Sequence, residues 1–297
     1  MSASAEAPAA RRRPPFLRRA RRQPSLLAGL GLTAAIAAVA LLDRRLAPRY
    51  AFALSPHPFA PPSRAHLMGT DQLGRDLFTA VVQGSRTSLE VVAGVVVIAV
   101  AVGLPVGLAA GLQGGLLDDA TMRVSEVVQT VPRFFLAVLV VGWFGPGLPL
   151  TVLLGLTSWP FLARVVRAET LSLRERAFVE AARAAGAGDV RILARHILPN
   201  VARGALVVVA LIGSRVVLLE AGLAFLGLAD VNVPSWGALL NNAQPYLDRA
   251  WWMSVFPGAA VAVTVFALNL LADGLAGLLD QDGEEERSWG APVRDAA

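Results

Sequence analysis

Apolar residues in this chain gather in blocks too long for a soluble core to hide. Runs with few or no charges cover 26–42, 91–112, 123–144, 148–166, 202–221 and 251–279. A hydrocarbon core of about 30 Å takes about 20 helical residues to cross, and in lipid every backbone amide must be satisfied within its own segment. The runs therefore predict six transmembrane helices, with both termini on one side. Pro149 and Pro160 allow a broken or kinked fourth helix, and polar residues crowd the start of the third. A tight turn is expected at 145–147 and a short loop at 113–119, whereas 43–90, 167–201 and 222–250 are long connections. The expected class is an all-α polytopic membrane protein. It is organised as a tail (1–25), a first span (26–42), an outer segment (43–90), a membrane core (91–280) that includes 167–201, and a second tail (281–297).

Composition agrees. Hydrophobic residues make up 55% of the 297-residue chain and charged ones 16%, against about 25% charged in soluble domains. Mean hydropathy is +0.56. Basic residues sort the two sides: seven Arg between Arg11 and Arg22 precede the first span, and 167–201 holds Arg167, Arg174, Arg176, Arg183, Arg191 and Arg195. The stretch 222–250 holds only Arg249. By the positive-inside rule the termini and 167–201 are expected in the cytosol and 222–250 outside. The stretch 43–90 is also placed outside, although its six Arg from Arg44 to Arg86 run against the rule and its Asp residues only soften this. A basic stretch before an apolar run is also the form of a signal peptide. This run exceeds the usual h-region and ends at Asp43-Arg44-Arg45, so an uncleaved helix is expected.

Several chemistries are excluded. All 27 basic residues are Arg; a P-loop needs its Lys to reach the β- and γ-phosphates, so the chain is not itself an ATPase. The absence of Cys removes disulfides, thiolate metal sites and Cys nucleophiles. His57, His66 and His196 are too scattered to form a ligand cluster. No catalytic residue, cofactor or metal is expected. The net charge of +5 is a topology signal rather than a nucleic-acid footprint.

The most specific segment is 167–201. Phe178, Ala181, Ala182 and Ala185 fall at i, i+3, i+4, i+7 and predict a helix with a narrow face of mostly small residues. Ser172 and Glu175 have capping-box spacing for its start, and Gly186 and Gly188 permit its end. Asp189 is positioned to cap a second helix, which Pro199 is expected to stop. A compact cytosolic knob of this kind suits docking into a groove on another protein; the plainer reading is an Ala-rich helix lying on the membrane surface. Glu180-Ala181-Ala182, Gly186 and His196-Ile197-Leu198-Pro199-Asn200 resemble the EAA loop of ABC importer permeases, in its peptide-transporter form. The resemblance implies a coupling helix seated in a cleft of an ATPase subunit.

It continues along the chain. Gly69-Thr70-Asp71-Gln72-Leu73-Gly74-Arg75-Asp76, running on to Gly84-Ser85-Arg86-Thr87-Ser88-Leu89, is similar to the signature before the second helix in C-type subunits of dipeptide, oligopeptide and nickel importers. Its Asp and Arg residues suit charge-assisted clamping of an outer loop, with direct substrate contact as the alternative. Glu220 to Leu228, Pro234-Ser235-Trp236-Gly237, Trp251-Trp252 and Phe256-Pro257-Gly258 match as well, so the likeness spans about 65–280. Two departures stand out. Ala224 replaces the family's usual Ser, and 272–281 lacks the family's charged pair, which leaves no fixed polar role for the end of the sixth helix.

The resemblance implies the importer-permease fold typified by the methionine importer's membrane subunit. It also implies a bacterial or archaeal cell-membrane location and four kinds of partner: a second homologous permease, two cytosolic ATPases that bind the ATP, an extracytoplasmic solute-binding protein, and the bilayer. The cargo it implies is a peptide, or a related solute such as nickel or glutathione.

Glu126, Gln129, Thr130 and Arg133 recur at i, i+3, i+4, i+7 as one polar stripe. A charge at membrane depth costs about 2.5–3.5 kcal/mol on insertion scales, so the stripe is either a pathway wall or a helix end standing in water. Arg215 and Glu220 point in different directions and are not expected to pair. Glu220 is placed near the outer mouth. Trp236, Trp251 and Trp252 are read as interfacial anchors. A stand-alone secondary transporter or channel is the rival reading, with ionisable residues carrying a coupling ion; it gives the 167–201 knob no task. An intramembrane enzyme lacks any convergent acid–base or metal set.

Overall fold

The computed structural model describes residues 23–290 apart from Arg49, with side chains to residue 279. The Arg-rich part of the first tail and the last residues, 291–297, lie outside the described residues. Among those described, α1 (Pro24–Leu41), α2 (Leu77–Gln113), α5 (Leu148–Arg174), the segment Asp189–Leu228 and α9 (Trp252–Gly290) have the length and hydropathy to cross a membrane. A bent pair, α3 (Gly115–Thr130) and α4 (Arg133–Phe144), set at 75°, makes a sixth candidate crossing when the two are taken as one span. Twelve residues rise only about 18 Å, so α4 does not cross alone.

The bend corrects the single helix expected over 123–144. Pro132 has no amide hydrogen and pushes the residue before it out of the α region; Val131 is accordingly extended, at φ −78°, ψ 125°. The loop expected at 113–119 is in fact one residue, Gly114, at φ +65°. Pro160 leaves α5 unbroken, and α5 runs on to Arg174, well into the stretch expected to be loop. α2 starts at Leu77 rather than 91, because the Asp76 carboxylate caps the Thr79 amide at 2.9 Å. The polar residues at 83–90 hid its first turns.

α2 packs most extensively on α5, and small residues set the approach. A Cβ at Gly103 would stand 2.8 Å from the Trp159 carbonyl, at Gly107 2.6 Å from that of Ala163, and at Gly111 2.6 Å from Thr170 Cβ. The i, i+4, i+8 spacing lets two backbones close along the seam, which is how helices gain dispersion in lipid. α1 lies on α9 in the same manner, with Gly29 against Leu271 and Gly274 against Leu26. Between α5 and α7 (Leu198–Leu223) stands α6 (Ala177–Ala184), and on the opposite side α8 (Trp236–Ala243) precedes α9.

Candidate functional site

α6 and the turn after it form the knob expected from the sequence, with different local chemistry. Ser172 lies inside α5, so there is no capping box; α6 starts after Arg176 without a side-chain cap. Its end is well defined. Gly186 has φ +81°, its amide donates to the Arg183 carbonyl, and the Ala187 amide donates to Ala182, both at 3.0 Å. That pair of bonds is the Schellman closure, which demands a left-handed residue at Gly186. Asp189 is the first residue of the next helical turn rather than its cap, since Gly188 holds the cap position without a side-chain bond.

Pro199 does not stop the second limb. The chain passes from Asp189–Ile192 through a π-turn, Leu193–Ile197, into α7, with the Leu198 amide reaching back to Leu193. Pro199 cannot bond to the carbonyl four residues back, and the widened turn absorbs the mismatch. The knob and α7 are therefore continuous.

The faces also differ from the expectation. Val179, Ile192 and Ile197 are fully buried and seat the knob. Ala182 is half-buried and packs on the core, whereas Glu180, Ala181 and Ala185 are exposed. Phe178 is 43% exposed, its ring 6.3 Å from that of His196. Leu198 is partly buried and Pro199 exposed. The outward surface is thus small and Ala-rich around Ala181 and Ala185, with Ala182 turned inward. Val179 was missed because an Ala-rich helix gives little contrast between faces.

On the other side, the 69–76 motif folds as a cap over the ends of α2 and α9. Thr70 is fully buried. Its hydroxyl donates to the His57 carbonyl (2.6 Å) and accepts from the Ala60 amide (2.8 Å), while its carbonyl accepts from the Trp252 indole (3.0 Å). Asp71 Oδ1 takes the amides of Leu73 and Arg75, both at 2.8 Å, and Oδ2 lies 3.7 Å from Arg75 Nε. Arg75 lies over the Phe52 ring. Gly69 and Gly74 hold φ +78° and +75°. Asp76 caps α2 and meets His66 Nδ1 at 3.0 Å. Partial burial pushes the Asp76 carboxyl up, but the bonds from His66 and Thr79 outweigh it and hold it below the usual Asp range. Its contribution to stability is therefore full at neutral pH and is lost only as pH falls through that lowered value.

Two of the three Trp residues are not interfacial anchors. Trp236 and Trp252 are buried, and their indoles donate to the Val81 and Thr70 carbonyls, both at 3.0 Å. Trp251 is exposed. Glu220 is buried near Ser235, just before α8, and does not pair with Arg215. The Glu126–Arg133 stripe is divided by the bend. Glu126 pairs with Arg123 (3.3 Å), Gln129 accepts from Arg164 (3.1 Å), Thr130 bonds back to the Glu126 carbonyl (2.9 Å), and Arg133 donates to the Thr157 carbonyl (2.7 Å).

The sequence profile described as "Binding-protein-dependent transport system inner membrane component" matches residues 103–282. A putative peptide transport system permease protein of Brucella suis is 39% identical over 225 residues, 75% of each chain. The oligopeptide transport system permease protein OppC of Escherichia coli K12 is 41% identical over 217 residues, 72% of each. The di/tripeptide transport system permease protein DppC of Pseudomonas aeruginosa is 37% identical over 72% of this chain and 71% of its own. Among solved structures, an inward-facing form of the MetNI methionine ABC transporter superposes with a TM-score of 0.55 at 19% identity, covering 67% of this chain and 96% of that one. That likeness concerns the fold.

Proposed function

The chain belongs to the family of inner membrane components of binding-protein-dependent transport systems, and from that premise we propose that it is one permease half of a peptide importer, coupled to cytosolic ATPases through α6. The relatives named above are peptide permeases, which supports peptides as cargo. The observation that carries the coupling role is the exposed, Ala-rich outer surface of α6, seated on buried Val179 and closed by Gly186. Small side chains admit close approach by a partner groove, and the continuous run from the knob into α7 gives movement there a path into the membrane.

A second, different permease completes the pathway, two ATPases receive the paired knobs, and an extracytoplasmic binding protein delivers cargo over the 69–76 cap and α8. ATP closes the ATPases, brings the knobs together and turns the spans between inward- and outward-open arrangements. No covalent chemistry falls to this chain. The test is reconstitution of the four components in vesicles. Peptide uptake is expected only with ATP and binding protein together, and uptake that persists without ATPase subunits would favour a stand-alone transporter.

The orientation that follows has both termini and the knob in the cytosol, and 43–76 and 229–251 outside. Single cysteines at Ser63, Ser172 and Asp248, all exposed, report it in this Cys-free chain. An impermeant maleimide applied to intact cells is expected to label the first and third and to spare Ser172→Cys. Labelling of Ser172→Cys from outside would reverse the assignment.

A further inference from the structure

Three arginines that the coupling mechanism leaves unused come together on one side of α5. Thr157, Phe161 and Arg164 follow at successive turns of that helix. Arg133, at the start of α4, donates to the Thr157 carbonyl at 2.7 Å. Arg215, from α7, stands with its guanidinium carbon 4.4 Å from the centre of the Phe161 ring. Arg164 itself reaches Gln129 of α3 at 3.1 Å. The three cations thus step along about 10 Å of the α5 axis, beside the point where the α3–α4 backbone breaks.

Their partners are a carbonyl, an aromatic ring and an amide, none of which cancels a charge. Among the described residues no carboxylate comes within 4.0 Å of any of the three. Arg164 and Arg215 are exposed, and Arg215 stands inside the apolar run 205–228, whose one other charge is the buried Glu220. Exposed arginine at that depth does not face lipid tails, and broken backbone at membrane depth belongs where it lines protein or a water-filled path.

We propose that Arg133, Arg164 and Arg215 form a stepped set of carboxylate-receiving positions in the translocation pathway, which hands the anionic groups of a peptide cargo from the outer to the inner half. Guanidinium is suited to this, because it binds carboxylates in two-point fashion and stays charged. Three shallow positions a helical turn apart also meet the transport requirement that binding favours entry without preventing exit. The proposal rests on the permease reading above and goes beyond it by assigning the chemistry of the path.

The test uses the complete importer in vesicles with two peptides of equal length, each loaded on the binding protein at saturation. One carries a central glutamate and a free C-terminus; the other carries glutamine and an amidated C-terminus. Arg215→Gln and Arg164→Gln are expected to lower maximal uptake of the acidic peptide by about tenfold. The neutral peptide should change by less than about twofold, and Arg215→Lys should restore most of the loss. Equal losses for both peptides in an intact complex would mean that the arginines meet a partner's acid or a lipid and would overturn the proposal, as would unchanged acidic uptake. If Arg215→Gln does not assemble, Arg164→Gln, on the exposed side of α5, gives the same decision. Wild-type vesicles that import neither peptide would sink the permease reading itself, a result distinct from failed discrimination.

Discussion

Ala181→Trp and Gly186→Val are each expected to abolish ATP-driven uptake while leaving the chain inserted and paired with its partner permease. This is the largest effect expected of any single substitution in the inner half. Ala181 is exposed on the outer surface of α6, so an indole there meets no neighbour within this chain and obstructs only what docks from outside. Over-packing a close joint costs about 1–3 kcal/mol, enough to release an ATPase held by one short helix. Gly186 acts differently. Nothing lies within 4 Å of a Cβ built there, but its φ of +81° is strained for a β-branched residue, at about 1–3 kcal/mol. The strain opens the Schellman closure and changes the direction of the next limb. Ala182→Trp is a poorer probe, because Ala182 packs inward and the bulk would unseat the knob from its own core. Uptake and ATPase co-purification measured side by side check this. Normal uptake in both Ala181→Trp and Gly186→Val would remove the coupling role from α6.

Gly74→Val, on the other side, destroys the complex rather than its coupling. Gly74 sits at φ +75°, and its Cβ would stand 2.2 Å from the Ser55 carbonyl oxygen. The obstacle is backbone, so relief requires moving the loop at Ser55 off the turn at Gly74. Strain and overlap together are expected to exceed about 3 kcal/mol, with the purified yield falling at least severalfold. Thr70→Val is the graded version. It is nearly isosteric but leaves the Ala60 amide without its acceptor, at about 1–3 kcal/mol. Gly31→Ala, in an open stretch of α1, serves as the neutral control. Thermal midpoints of the detergent-solubilised complex should rank Gly31→Ala above Thr70→Val above Gly74→Val. A Gly74→Val complex as stable as wild type would mean that the cap is not a clamp.

Much of this architecture was legible in the sequence, because hydrocarbon leaves a segment so few options. The spans, the knob and the turn at Gly186 follow from apolar length, Ala spacing and one glycine. The misplaced features have physical causes. Periodicity drew Glu126 to Arg133 as one stripe, but Pro132 stands between them and a wheel diagram takes no account of a missing amide. Pro199 signalled a stop, yet a π-turn let the helix continue. Asp76 capped α2 fifteen residues before the apolar run began. Trp236 and Trp252 looked like anchors because their acceptors lie 155 and 182 residues away in sequence. The grouping of Arg133, Arg164 and Arg215 was hidden for the same reason, since it exists only once three helices have packed.

The outer cap also imposes an order in time. The Thr70 carbonyl is held by Trp252, and the first turns of α2 by Trp236, so the 43–76 segment has its local bonds to α2 early but lacks these two anchors until α8 and the start of α9 have been made. Until then the clamp is expected to be half-built and open to proteases and to mispairing. Contacts of such long sequence separation form slowly, after the entropy of the intervening loop has been spent. Full closure of the cap is thus expected late in maturation, with protease resistance at 55–76 in a pulse-chase as its readout.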